Sequence, residues 1–541
     1  MYQVNLTESY FPIQDQEEVL ETTVGGLLRQ TAATNPDDPA LTEVDMTGAL
    51  GRRWTFGSLL SDAEVLALAL STRFEPGERI CVWAPNVPEW VLLEYACALA
   101  GLTLVTANPA YQPQELRYVL DQSRSSALFL TCSFRGNPMW DIAQEAAQGL
   151  PNLKEIVDIQ DRAAVHAQGS RPAELPDVQA GDAAQIQYTS GTTGFPKGAV
   201  LSHRGLTNNA RFYAARLQAK PGEPWASVMP LFHTAGCAMA VLGSLQSASP
   251  LYLFTMFDPV AFLRIIESER IALTGGVPTM IVAMLEVLDH QSFDTSSMRS
   301  CMSGGSMVPP QLVRAIKDKM GCGVQTVYGQ TECSPLITMH HLDESEADAC
   351  NTIGQPMPQH ELAIRDPQTD AILPVGEIGE ICVRGYLIMI EYNDNPEATA
   401  ATVDAEGWLR TGDLGRMDSR GYVAVTGRVK EMIIRGGENL FPAEIENVLL
   451  EHPDVAEIAV VGLPDDKWGE IVAAFVRPSD GAQVDPQALK SHCRAHLAPM
   501  KSPVVWCQME SFPLTGSGKI RKFALRDQFI AGEITALPTA S

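Results

Sequence analysis

The sequence predicts an α/β protein. A large N-terminal domain of parallel, helix-covered sheets, with a smaller β-rich part, is followed by a small α+β domain. Three observations carry this. Strand-like apolar runs alternate with helix-like segments through the first part of the chain, the pattern of βα units that builds a parallel sheet. After Gly354 short strands alternate with turn residues instead. Beyond Lys430 the order is helix, strand, strand, helix, strand within roughly a hundred residues, an ordinary domain size. At 541 residues the chain is too long for a single core.

The elements follow in order. RICVW (79–83), LTLV (102–105), SALFL (126–130) and AQIQ (184–187) read as strands, and EWVLLEYA (89–96) as a helix between the first two. The pattern recurs in PLYLF (250–254), AFLRII (261–266) and ALT (272–274), and VQTVY (324–328) is again strand-like. ELAIR (361–365), GEICVR (379–384) and YVAV (422–425) form the β-rich part. PAEIENVLL (442–450) reads as a helix, because Pro at the first turn sacrifices no hydrogen bond and acids there complement the helix dipole. AEIAVV (456–461) and IVAAFV (471–476) read as strands, 486–497 as a helix and VVWC (504–507) as a strand. Residues 531–541 read as a loose tail. The division is therefore 1–429 and 430–541.

Composition excludes several classes of function. The net charge of −26, with no basic run or stripe, argues against nucleic acid or an anionic membrane as partner. Eleven scattered cysteines without a CxxC pair fit a reducing compartment. His492 and His496 stand four apart on a predicted helix, but no third metal ligand is signalled nearby, so a solvated helix face is expected there rather than zinc. The N-terminus is acidic up to Arg29, unlike a secretory or transit peptide. The most apolar stretch, 237–254, is broken by Gly243, Ser244, Gln246, Ser247, Ser249 and Pro250, so no transmembrane segment is expected and the cytoplasm is the default location.

The string YTSGTTGFPKGAVLSH (188–203) carries the most chemistry. Dense small and hydroxyl residues, Thr189, Ser190, Gly191, Thr192, Thr193 and Gly194, let backbone N–H groups and side-chain hydroxyls converge on an anion, and Lys197 adds charge. This is phosphate-binding chemistry, but not the P-loop, because Lys197 is followed by Gly198 and the glycine spacing is wrong.

The string resembles the signature of the AMP-forming adenylating enzymes: acyl-CoA synthetases, firefly-type luciferases and the adenylation domains of peptide synthetases. YGQTE (328–332), TGDLG (411–415), GRVKE (427–431), GGEN (436–439) and PLTGSGK (513–519) match in the family's order, so the resemblance covers nearly the whole chain. It implies a nucleotide-binding large domain, a hinge at Lys430 and a mobile C-terminal lid, with ATP, Mg²⁺ and coenzyme A as the small molecules used. Self-association as a homodimer is left open.

Making an acyl adenylate needs no protein nucleophile, since the substrate carboxylate attacks the α-phosphate itself. The enzyme positions the reactants and neutralises charge. Glu332, just beyond a strand's carboxyl end, is the Mg²⁺ candidate. The resemblance places Tyr328 against adenine, Thr331 at phosphate, and Gly305, Ser306, Gly329 and Gln330 in the nucleotide site. A packing role at the sheet edge is also open to Tyr328. Asp413 has the acceptors to bind two ribose hydroxyls, unless it closes an Asx-turn; in the family that position binds ribose and Arg428 joins it. Lys519, on a flexible loop, is implied to serve adenylation only, and His233 is carried over as catalytic. After the lid turns, Gly436, Gly437 and Glu438 would pass the pantetheine arm. Arg435 either meets a CoA phosphate or is a solvated surface residue.

For the acid, the stretch PLFHTAGC (230–237) lacks the Asp that pairs an amino acid's ammonium group, and too little chain follows Lys519 to hold a carrier domain. Acetate-type relatives carry Trp where this chain has Gly329. Gly329 therefore predicts an open, long apolar tunnel, walled by His233, Ala235, Gly236, Cys237, Val277 and Gly304. The flanking text PNVPEW (85–90), ANPAYQ (107–112) and MIIRGGEN (432–439) looks like the medium-chain fatty acyl-CoA synthetase branch. An aryl-acid CoA ligase, or a ligase with an acceptor other than CoA, is the alternative. One departure is Glu391, where relatives usually carry Gly.

Overall fold

A computed structural model describes residues 1–14, 17–189, 196–305, 308–436, 438–479, 481–514 and 520–538. Among these residues four sheets form. In the seven-stranded sheet Glu155–Asp158, Ala127–Leu130, Arg79–Trp83, Thr103–Thr106 and Ala183–Thr189 run parallel. Lys197–Ser202 then pairs antiparallel with Ala183–Thr189, and the short strand Glu391–Tyr392 closes that edge. The nine-stranded sheet has a parallel centre from Pro39–Val44 through Leu251–Phe254, Trp225–Ser227, Leu273–Gly276 and Ser300–Gly304 to Gly323–Gly329. Antiparallel strands flank that centre on both sides.

One core joins the two sheets. Helices Pro88–Leu99 and His203–Arg216 bring the fully buried Trp90, Tyr95, Phe212 and Tyr213 into a cluster with Val82, Leu201, Trp225 and Leu253. Both helices are buried on most sides, the first by apolar residues and the second with Asn208, Asn209 and Arg216 buried as well. Burial of this kind stabilises by about 25 cal/mol per Å² of apolar surface, so the two sheets form a firm base for the loops at their strand ends.

The β-rich part is an antiparallel sheet of His360–Arg365, Gly379–Gly385, Leu409–Met417 and Val423–Arg428. Tyr10–Phe11 joins its edge, a strand too short to show a sequence period; Phe11 is fully buried against Leu362, Ile381 and Val423. Val423–Arg428 ends this sheet, a 3₁₀ turn spans Val429–Glu431, and Ile433–Arg435 begins the next.

That next sheet centres on the long antiparallel pair Val455–Asp465 and Gly469–Pro478, with Val505–Gln508 parallel beside it. Helices Pro442–Leu450 and Pro486–His496 cover one face through Ile445, Leu449 and Leu489. Helix Lys522–Ile530 covers the other through Leu525 and Phe529. Each of the two first helices starts on its proline, as the sequence predicts. On the second, the His492 ring meets the Val448 carbonyl at 2.9 Å, while His496 faces solvent.

The expected loose tail is corrected over its described part. Ile534 packs into the apolar cluster around Phe512 and Leu525, and the Leu537 N–H donates to the Trp506 carbonyl at 2.7 Å. No helix among the described residues is long and apolar enough to cross a membrane.

Candidate active site

Thr189 and Lys197 face each other as the last pair of the antiparallel strands Ala183–Thr189 and Lys197–Ser202. The string expected to bind phosphate therefore links two paired strands. Ser190, Gly191, Thr192, Thr193 and Gly194 lie outside the described residues, as does Ser306. Thr189 Oγ1 donates to the Lys197 carbonyl at 3.4 Å. Lys197 is half-buried, and its ammonium stands 4.5 Å from the centre of the Tyr392 ring, a cation–π contact. It makes no ion pair among the described residues.

The Tyr392 hydroxyl reaches the other way, donating to Glu332 Oε1 at 2.6 Å. Burial, reinforced by the Glu332 charge, pushes the Tyr392 phenol up from its usual value and keeps it a donor. Glu332 is buried in a 3₁₀ turn, Thr331–Cys333, beyond the strand Gly323–Gly329. Backbone bonds fix this turn. Gln330 N–H donates to the Pro335 carbonyl at 2.9 Å, and Met389 N–H donates to the Glu332 carbonyl at 2.8 Å. Glu332 Oε2 has no hydrogen-bond partner among the described residues. One carboxylate with an open oxygen is a donor set that Mg²⁺ accepts when substrate phosphates and water complete its shell.

Asp413 lies in the strand Leu409–Met417, directly across from Arg428. Arg428 Nε meets Asp413 Oδ1 at 2.9 Å, and the Tyr328 hydroxyl donates to Oδ2 at 2.8 Å. The carboxylate thus serves a cross-strand bridge and not an Asx-turn. Its charge holds the Arg428 guanidinium above its usual pKa against the effect of burial. Burial first, then Asp413, holds the Tyr328 phenol well above its own. Tyr328 also packs against the apolar core of the antiparallel sheet. Each oxygen of Asp413 keeps a second lone pair for a ligand hydroxyl.

Around the expected acid pocket the picture changes. Ala235–Leu242 forms a π-helix, a rare element frequent at functional sites. His233 is exposed just before it, its carbonyl accepting from Gly236 N–H at 2.9 Å and Cys237 N–H at 3.2 Å. Ala235 is half-buried at the helix start. Gly236 packs where a Cβ would sit 2.2 Å from the Pro230 carbonyl oxygen. Cys237 is fully buried, where Gln187 Nε2 donates to its sulfur at 3.1 Å and burial raises its thiol pKa. Gln185 continues this buried polar chain to Glu94 at 2.7 Å. Val277 is half-buried before helix Pro278–Leu288, and Gly305, with φ +78°, lies near it.

At Gly329 a Cβ would lie 1.9 Å from the Pro335 carbonyl oxygen, so the missing side chain makes room for backbone. Gly304 is constrained in the same way, by Val327 Cγ2 at 2.5 Å. Glu391, the departure from the usual glycine, is exposed in the edge strand Glu391–Tyr392, where extended backbone tolerates any residue.

In the C-terminal unit Lys430 is exposed in the turn Val429–Glu431. Arg435 is not simply solvated. Its guanidinium donates to the Met500 carbonyl and lies 5.8 Å from the Trp468 ring. Gly436 has φ +62°, and its N–H donates to the Trp468 carbonyl at 2.7 Å. Glu438 is exposed, and Gly437 and Lys519 lie outside the described residues. Two residues here carry no motif signal. Trp468 stands 44% exposed beside Arg435 and Lys467. Lys522 bridges Glu431 at 2.9 Å and Glu446 at 2.8 Å. Tyr392 was legible only as the tyrosine after Glu391.

Residues 28–393 match the AMP-binding enzyme family, and residues 444–519 match the C-terminal domain of AMP-binding enzymes. The chain belongs to the AMP-binding enzyme family. It is 36% identical over 542 residues to the Bacillus subtilis protein YngI, covering 95% of this chain and 98% of that protein. It is 35% identical over 540 residues to the mitochondrial medium-chain acyl-CoA ligase ACSF2 of Bos taurus, 94% of this chain and 87% of the relative. Among solved structures, the o-succinylbenzoate CoA synthetase of Bacillus subtilis with its acyl-adenylate intermediate is similar at a TM-score of 0.82. Identity to it is 28%, with 94% of this chain and 99% of that chain covered.

Proposed function

We propose that this AMP-binding enzyme is an AMP-forming acid–CoA ligase whose preferred acid is a medium-chain fatty acid. One observation supports the activity most strongly. The five residues 328–332 reach two groups of opposite use: Tyr328 meets Asp413, which pairs with Arg428, and Glu332 meets Tyr392 beside Lys197. A ribose-type acceptor and a phosphate-type cation with a metal-type carboxylate thus stand on either side of one short turn.

In the proposed reaction the acid's carboxylate oxygen attacks the α-phosphorus of ATP, and the bond to the leaving pyrophosphate breaks. The thiol of CoA then attacks the acyl carbon, forming a thioester and releasing AMP. Thr189, the 190–194 loop and Lys197 hold the outer phosphates. Asp413 and Arg428 hold the ribose, Tyr328 with Gly305, Ser306, Gly329, Gln330 and Thr331 surrounds the rest of the nucleotide, and Lys519 neutralises charge at the α-phosphate. Mg²⁺ held by Glu332 would neutralise phosphate charge as pyrophosphate leaves. Residues 1–429 and 430–541 form the two working bodies with Lys430 as hinge, and Arg435, Gly436, Gly437 and Glu438 face CoA in the second step. His233, Ala235, Gly236, Cys237 and Val277 line or back the acid pocket. The eleven unpaired cysteines suit the cytoplasm, where we place the enzyme.

The medium-chain preference rests on the identity to the bovine ligase. The similarity to the o-succinylbenzoate enzyme keeps an aryl acid as the second reading. CoA-dependent AMP formation across hexanoate, octanoate, dodecanoate, benzoate and o-succinylbenzoate tests both. Highest kcat/KM on an aromatic acid overturns the first reading. Pyrophosphate release without CoA-dependent AMP release would point to another acceptor.

A further inference from the structure

We infer that Tyr392 is a positioning residue that keeps Lys197 and Glu332 apart and aims Glu332; this rests on the function proposed above. Lys197 and Glu332 carry opposite charge, and both approach the same tyrosine. The ammonium lies over the ring at 4.5 Å, and the carboxylate accepts a hydrogen bond from the hydroxyl at 2.6 Å. Without the tyrosine holding each of them, the two charges would be drawn into a direct pair, because attraction between opposite charges strengthens as the surroundings become less polar. Such a pair would satisfy both groups before any ligand arrives. A phosphate would then compete with Glu332 for Lys197, and a cation would compete with Lys197 for Glu332.

Tyr392 prevents this with a weaker hold on each group. A ring face attracts an ammonium by less than a phosphate does, so the lysine is kept in place but remains available. The hydroxyl occupies Oε1 and leaves Oε2 unpartnered among the described residues.

The ring itself is held firmly and is 5% exposed. Tyr392 pairs with Ala199, two residues beyond Lys197, in the antiparallel edge of the sheet. Its N–H donates to Thr399 Oγ1 at 2.9 Å. On either side of it, Ile390 N–H donates to the Val200 carbonyl at 2.8 Å and Asn393 N–H to the Gly198 carbonyl at 2.7 Å. Asn393 Nδ2 is tied in turn to the Gln122 carbonyl at 2.8 Å. One strand thus sets both the lysine and the ring beneath it.

Binding measured by calorimetry on the full chain separates this role from a structural one. The ligands are ATP with Mg²⁺, ATP with EDTA, and AMP. Tyr392→Phe keeps the ring and loses the hydroxyl. The Mg²⁺-dependent gain in ATP affinity should fall about tenfold, the scale of a hydrogen bond to a charged group, while ATP in EDTA and AMP bind as in wild type. Tyr392→Leu removes the ring as well. ATP affinity in EDTA should then fall too, and a second change, Glu332→Gln, should restore it by removing the competing charge. The inference is overturned if Tyr392→Phe leaves the Mg²⁺-dependent gain intact, if AMP weakens in step with ATP, or if Glu332→Gln fails to restore binding. A wild-type chain that binds neither ATP nor AMP would remove the proposed function as well; wild-type binding with unaffected variants would remove this inference alone.

Discussion

The residues proposed to meet the nucleotide in the large domain and those proposed to act from the C-terminal unit are held in opposite ways. Glu332 and Asp413 are 9% and 7% exposed, and each is gripped by a tyrosine hydroxyl from another element. Beyond residue 429, Lys430 and Glu438 are exposed, and the backbone turns through a left-handed glycine at Gly436. The firm tie on that side lies at its base, where Lys522 joins the turn containing Glu431 to the helix carrying Glu446. The difference fits the role proposed for each side. Stabilising developing charge demands groups already aimed before reaction, since reorienting them would cost much of the gain. Delivering different groups to one place in turn demands a unit rigid within itself but lightly attached.

The largest effect expected is for Lys519→Ala. Adenylate formation should fall on the order of a hundredfold or more, the scale of removing one preorganised charge-stabilising group, while thioester formation from supplied acyl-AMP persists. Equal loss of both half-reactions would break the view of Lys519 as a delivered tool. Asp413→Asn tests the rigid side. It leaves Arg428 without its counter-charge, and AMP affinity should fall about ten- to hundredfold. Both half-reactions carry the AMP moiety, so both should suffer; damage to only one would contradict the assignment.

Lys430→Pro sharpens the contrast itself. Proline fixes φ near −65° and removes a donor, which freezes a residue that must change backbone angles between two arrangements. Single-turnover pyrophosphate release should survive while CoA-dependent AMP release falls sharply. Parallel loss on folded protein would mean that the hinge lies elsewhere.

Gly329→Trp should lower activity toward short and long acids alike, with a loss of roughly 1–3 kcal/mol or more in stability, because the Pro335 carbonyl blocks the side chain. A switch toward acetate would show instead that the backbone yields and the pocket accepts the indole.

The smallest effect is for Lys522→Met, about 1–3 kcal/mol of stability for carboxylates left without their cation, read as a lower melting temperature. Burial lowers the Lys522 pKa, but Glu446 and Glu431 outweigh it and hold the ammonium above its usual range. Its stabilisation is therefore complete at neutral pH and is lost as pH rises past about 10.4 through the raised value. The variant should lack that alkaline loss.

Much of this protein was settled by sequence alone, wherever the physical requirement is local. Strand and helix runs followed from short-range apolar patterns, so that RICVW and PAEIENVLL coincide with an observed strand and helix. Glu332 just past a strand end and Asp413 among turn residues were readable from the few residues around them. Only the tertiary structure decided what those residues touch. Tyr392 meets Glu332 across 60 residues, Tyr328 meets Asp413 across 85, and Lys522 meets Glu431 across 91. It also decided that Gly329 is a glycine because the Pro335 carbonyl occupies its side-chain space. A spacing of that length has no period to read. The partner is chosen by where packed sheets bring two strands together, and that depends on the whole core at once.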